Sequence, residues 1–131
     1  MKSGSYHLVG SPGCGSVLVE AALTLAGLPF ELEDIAFEAL GPQHPRLGQL
    51  NPLGQVPVLV LPDGQVMTES AAILLYLGEV APTAGLVPPP GDARRPAFLR
   101  WLVTLVAAIY PTFTYADFPA RFVPAGKAAK Q

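Results

Sequence analysis

The run Asn51-Pro52-Leu53-Gly54-Gln55-Val56-Pro57-Val58-Leu59 limits the possible folds more than any other stretch of the chain. A proline at the mouth of an apolar strand either holds the preceding peptide bond cis in a tight turn or simply serves as a first strand residue. In the first case the backbone of Val56 is left free to pair with an extended peptide. After a short hairpin-like stretch, Glu69-Ser70-Ala71-Ala72-Ile73 puts an acid and a hydroxyl where a helix begins. Unpaired N–H groups and the positive end of the helix dipole at such a place suit a carboxylate. The two stretches together describe a cradle for a small acidic peptide.

The rest of the chain alternates strands and helices. Residues 6–10 read as an apolar strand, and Ser11-Pro12 then gives a helix-start signal, with serine as cap and proline preset for the first turn. The spacing predicts a helix to Ala26 that stops at Gly27. Ser16, Glu20 and Thr24 recur along it as one narrow polar stripe, so more than one side is meant for burial. Residues 30–35 alternate as a half-buried strand, 39–45 read as a loop and 46–50 as a short helix. Pro62-Asp63-Gly64 between strands 56–61 and 65–67 is a hairpin signal. Residues 70–80 predict a helix apolar nearly all round, which a sheet alone cannot cover.

Residues 82–91, with Pro88-Pro89-Pro90, read as a stiff extended connector between domains. Asp92 is expected to cap the next helix, which carries Phe98, Trp101, Leu102, Leu105, Val106 and Ile109 at helical spacing and is kinked or ended by Pro111. Residues 124–131 look like a loose polar tail.

Half of the 131 residues are hydrophobic and 14% are charged, which is enough for one core and contrary to disorder. Eight basic against ten acidic side chains leave no electrostatic footprint for nucleic acid or an anionic membrane, so neither partner is expected. One cysteine excludes an intramolecular disulfide, and with two scattered histidines it makes no metal cluster at ligand spacing. Pro12, several glycines and Glu20 interrupt what would be a signal-peptide core, giving an expected cytoplasmic address. The apolar run 97–113 is broken by Arg100, Thr104 and Pro111 and is short for a bilayer, so it is expected to be a helix buried in protein.

With these strings in this order, the chain resembles the glutathione transferase family. An apolar strand followed by Ser11-Pro12-Gly13-Cys14, then Val17-Leu18, then Leu25-Ala26-Gly27-Leu28-Pro29-Phe30-Glu31, is similar to the opening of that family, above all its serine-type theta, zeta and related bacterial classes. The resemblance runs from Tyr6 to Val80 and more loosely from Asp92 to Val123. It implies an α/β fold: a thioredoxin-like N-terminal domain (βαβαββα) over 1–81, a linker over 82–91, and over 92–131 the first part of an all-helical domain. Most of that helical domain is by resemblance absent, and with it much of the second-substrate pocket.

The resemblance also implies site residues. Val56, beside Pro57, pairs through its N–H and C=O with the central amides of glutathione. Ser70 binds the γ-glutamyl carboxylate, and Glu69 accepts from the ligand amine; the plain alternative is a helix cap with an acid favouring the dipole. Gln55 reaches a glutathione carboxylate or amide, or is an exposed loop amide. Ser11 is the candidate catalyst, donating to the glutathione sulfur and stabilising its thiolate, although Ser-Pro is also what a simple cap looks like. Cys14, expected in the first helical turn, is either a buried small hydrophobe or a redox thiol. His44 reaches the glycine carboxylate or is a solvated loop histidine. Tyr110, Phe113 and Tyr115 line an acceptor pocket or belong to the core.

Glutathione transfer to small hydrophobic electrophiles is the implied function, with glutathione as co-substrate, no other cofactor and no metal. A homodimer is implied where the helical domain is complete enough. Two alternatives stand beside it. One is a silent module that docks on another protein through Ile73, Leu74, Leu77 and Trp101; the other is a Cys14-dependent glutathione thiol-disulfide oxidoreductase.

Overall fold

The structure, a computed structural model, describes residues 4–122. The apolar run at the start forms β1 (Tyr6–Gly10), which is followed by α1 (Ser16–Leu25) and β2 (Phe30–Asp34). After a 3-10 turn (Phe37–Ala39) and α2 (Pro45–Leu50) come β3 (Val58–Val60), β4 (Val66–Thr68) and α3 (Ser70–Val80). The four strands lie in the order β2-β1-β3-β4, with β1 parallel to β2 and antiparallel to β3, and β3 antiparallel to β4. This is the thioredoxin-like arrangement that the order of elements implies. Asp63 tightens the β3–β4 turn by accepting from the Gln65 N–H at 2.9 Å.

Successive residues of β1 point to opposite faces of the sheet, yet Leu8 and Val9 are both fully buried, so both faces are covered. Val9 and Val58 pack with Ile35 and Leu47 beneath α2. Across the sheet, α1 and α3 pack together and bury Val19, Leu23, Ile73 and Leu77. Each such side chain contributes about 1.5–3 kcal/mol relative to exposure. Ile73, Leu74 and Leu77 are therefore not part of an exposed patch, contrary to expectation; of the four residues named for docking, Trp101 is exposed.

The start of α1 departs from expectation. Residues 11–15 form a turn, closed by the Cys14 N–H donating to the Ser11 carbonyl at 3.1 Å, and the helix begins at Ser16 with Gly15 as its N-cap. Gly13 takes a φ of +74°, which interrupts helical geometry directly after the Ser-Pro signal. Ser16 is not part of a wet stripe: it lies buried against Gly10, where any Cβ would collide with its side chain, while Val17 and Leu25 are exposed. At its other end the helix stops where expected, with Gly27 at φ +64°.

The described residues form two compact units, divided between Arg95 and Pro96. In the first, residues 82–91 are not an extended spacer. They open with a 3-10 turn (Pro82–Ala84) and bring Val87 against Gly78 of α3, leaving no room for a Cβ there. Asp92 accepts from the Arg94 N–H at 2.8 Å and pairs with the Arg94 guanidinium, which holds its carboxyl down at about 2, so it fixes the turn just ahead of the helix.

The second unit holds most of one unbroken helical stretch, Arg95–Asp117, made of α4 (Arg95–Thr104), a wider π turn (Leu105–Ile109) and α5 (Tyr110–Asp117). The widened turn precedes Pro111, where it relieves the missing N–H and the ring crowding of a proline inside a helix. The expected break is thus absent. By length and apolar composition alone this stretch could cross a bilayer, contrary to the expectation that it is too short. Nor is it buried: Trp101, Val103, Ile109, Phe113 and Tyr115 are exposed, while Leu102 is buried. The expected polar tail lies outside the described residues.

Candidate functional site

Three segments meet at one end of the sheet. Val9 pairs with Val58, and Val58 with Thr68. Ser11 follows one residue after the end of β1, Val56 stands two residues before the start of β3, and Ser70 opens α3 two residues after the end of β4, so all three belong to segments at this end of the sheet. The end of β1, the entrance to β3 and the start of α3 therefore form one rim, and it contains the residues singled out in the sequence.

At the middle of that rim the Val56–Pro57 peptide bond is cis, as the first of the two sequence readings has it. Pro57 is buried, Val56 half-buried and Gln55 exposed. The Val56 N–H has no partner among the described residues. The loop leading to it is held by Asn51, a buried side chain that the sequence analysis did not single out. Its Nδ2 donates to the Gln55 carbonyl at 2.9 Å, and its Oδ1 accepts from the Leu53 N–H at 3.1 Å. Gly54, at φ +63°, sits against the Gly41–Pro42 backbone with no room for a Cβ.

On one side stands Ser11, fully buried, its main chain clamped by Ser16. The Ser11 N–H donates to Ser16 Oγ, which in turn donates to the Ser11 carbonyl, each at 3.1 Å. The Ser11 hydroxyl caps nothing. It is buried without a hydrogen-bond partner among the described residues, and it has no surface open to solvent. Cys14 is not in the first helical turn but two residues before the helix, in the turn, and its side chain is only partly buried.

On the other side α3 begins without a side-chain cap. Ser70 is the first helical residue and its hydroxyl bonds to nothing among the described residues, so the expected capping role is absent. Glu69, the N-cap, is exposed and takes a φ of +67°, a region that costs a non-glycine residue about 1–3 kcal/mol. No residue pattern signals that strain. A helix start with unpaired N–H groups, a free hydroxyl and an exposed carboxylate can receive an amino-acid head group, the carboxylate on the N–H groups and the amine on Glu69.

Other candidates lie elsewhere or have structural duties. His44 is half-buried and has a structural duty: its Nδ1 accepts from the Leu47 N–H at 3.2 Å and caps α2. His7, unremarked in the sequence, bonds Glu33 at 2.7 Å, and Arg46 donates to the same carboxylate oxygen at 2.7 Å. Burial raises the Glu33 carboxyl, but these two bonds outweigh it and hold it below its ordinary value. Burial and then a hydrogen bond with Tyr76 push the Tyr6 hydroxyl up to about 12. Tyr110, Phe113 and Tyr115 are exposed on α5. Among the described residues no group of three or more His, Cys, Asp or Glu could hold a metal ion. A groove of about 120 Å³ between α1 and α3, lined by Leu18, Leu25, Leu74 and Leu86, carries no polar group for such a ligand.

The chain is similar to known proteins of one family. The family profile described as "Glutathione S-transferase, N-terminal domain" matches residues 17–80. An uncharacterized GST-like protein, YncG, of Escherichia coli K12 is 47% identical over 116 residues, 88% of this chain and 56% of its own length. A glutathione S-transferase, GST-4.5, of Xanthomonas campestris is 36% identical over 78% of this chain and 48% of its own length. The chain thus spans about half the length of these relatives. Among solved structures, a glutathione transferase of Methylococcus capsulatus superposes with a TM-score of 0.77 at 38% identity, covering 87% of this chain and 57% of that one. A Sulfitobacter homologue with bound glutathione gives 0.84 at 29% identity, covering 95% and 60%.

Proposed function

This chain belongs to the glutathione S-transferase family through its thioredoxin-like N-terminal domain, and on that premise we propose that it binds reduced glutathione and transfers it to small hydrophobic electrophiles. The observation that carries the proposal is the open rim: an unpaired Val56 N–H beside a helix start with no cap and a free Ser70 hydroxyl. Glutathione fits it end for end. The γ-glutamyl carboxylate takes the α3 N–H groups and Ser70, its amine takes Glu69, and the cysteinyl amides pair with Val56. Gln55, exposed beside Val56, reaches toward the glycyl end.

The sulfur then falls on the Ser11 side. Donation from the unpartnered Ser11 hydroxyl stabilises the thiolate, which attacks an electrophilic carbon; a C–S bond forms and the leaving group departs with its electron pair. Positioning and thiolate stabilisation are the sources of rate. Because the hydroxyl is closed to solvent, the 11–15 turn has to part as the ligand seats.

That burial favours a second reading, in which the more accessible Cys14 carries the chemistry. Its thiolate attacks the sulfur of a glutathione mixed disulfide on a substrate, taking up the glutathionyl group and releasing the substrate thiol; reduced glutathione then regenerates Cys14 and leaves as glutathione disulfide. Turnover of an aryl halide with glutathione separates the two. The transferase reading expects Ser11→Ala to cost about 10- to 100-fold, the loss of a hydrogen bond to a charged group, with Cys14→Ser active. The reverse pattern, with a glutathione adduct on Cys14, overturns it in favour of the oxidoreductase. The homodimer and the cytoplasmic address stay proposals of the same kind.

A further inference from the structure

We infer that Asn51 is a positioning residue for glutathione, setting the direction of the Val56 N–H without touching the ligand; this rests on the glutathione reading of the rim. In a trans peptide the C=O of one residue and the N–H of the next are held in one plane and point opposite ways. The Gln55–Val56 bond is not among the cis bonds of the described residues. Asn51 Nδ2 binds the Gln55 carbonyl and, being buried, draws it toward the protein interior. The Val56 N–H on the same plane is thereby turned away from Asn51, where it has no partner among the described residues.

Asn51 is itself fixed at three further points. Its N–H donates to the Leu47 carbonyl at the end of α2, its carbonyl accepts from the Gly54 N–H, and its Oδ1 accepts from the Leu53 N–H. A peptide plane anchored in this way cannot rotate to satisfy itself internally, so the donor stays poised for a ligand amide. Asparagine is the side chain this needs, since one amide offers a donor to Gln55 and an acceptor to Leu53. Aspartate has nearly the same shape but presents an oxygen to the Gln55 carbonyl, so Asn51→Asp removes one bond and puts two acceptors face to face.

The test measures glutathione affinity by calorimetry and amide hydrogen exchange by NMR on the full chain. Asn51→Asp is expected to raise the glutathione Kd about tenfold, to abolish the protection that glutathione gives the Val56 amide, and to leave the sheet amides of Leu8 and Leu59 protected. Should the variant fail to fold, the wild type decides: glutathione then has to shift the Asn51 side-chain amide resonance together with those of Gln55 and Val56. An unchanged Kd, a Val56 amide still protected by glutathione in the folded variant, or an Asn51 resonance in the wild type indifferent to glutathione overturns the inference. Absence of glutathione binding by the wild type would instead bring down the functional reading itself.

Discussion

Two helix starts in this molecule use their polar residues in opposite ways. At α2, His44 caps the first turn through its Nδ1 and Pro45 supplies the first helical residue, so two of the orphan N–H positions are accounted for within the chain. At α3, Glu69 and Ser70 stand where a cap belongs and make no side-chain cap bond. The first start is capped within the chain. The second is not, and it carries backbone strain as well. The difference teaches that polar residues at a helix start indicate a ligand only when their bonds are left unmade, and of these two starts that of α3 meets this condition.

Substitution at the two starts separates binding from stability. The largest effect is expected at Ser70: Ser70→Ala should weaken glutathione binding by about 1.5–3 kcal/mol, the worth of a hydrogen bond to a carboxylate, while the thermal midpoint of the free protein stays where it is. A fall in the midpoint with binding intact would show Ser70 to be an ordinary cap. His44→Ala should do the opposite, costing about 1 kcal/mol of stability in denaturant titrations with glutathione affinity unchanged. If affinity fell instead, the contrast between the two helices would break. The smallest effect is expected for Glu69→Gly. Relief of the positive φ should raise stability by about half a kcal/mol after the entropic cost of glycine, and binding should weaken because the acceptor for the ligand amine is gone. A variant less stable than the parent would mean that Glu69 is not strained.

Much of this was legible in the sequence, and the exceptions share a cause. Strand alternation, the Asp63-Gly64 turn and the Gly27 stop are local signals, and they give the order of elements along the chain; the side-by-side order of the strands comes from the structure. Caps are local signals too, yet Ser11-Pro12 and Ser70 were both read as caps and neither is one. In each case tertiary contacts decide: Gly10 makes room for Ser16, which starts α1 and takes over the Ser11 main chain. Asn51 looked like a loop residue because its bonds close a five-residue loop whose shape is set by packing of Gly54 on Gly41 and Pro42. The helix through Pro111 was misjudged because a π turn, which leaves no mark in composition, absorbs the proline.

The central claim, that the Val56 edge and the open end of α3 together hold glutathione, is tested most directly by the thermal midpoint of the 131-residue chain as a function of glutathione concentration. Saturable stabilisation is predicted, approaching about 2.7 kcal/mol when the ligand exceeds its Kd a hundredfold. A midpoint that does not move at millimolar glutathione would contradict the account.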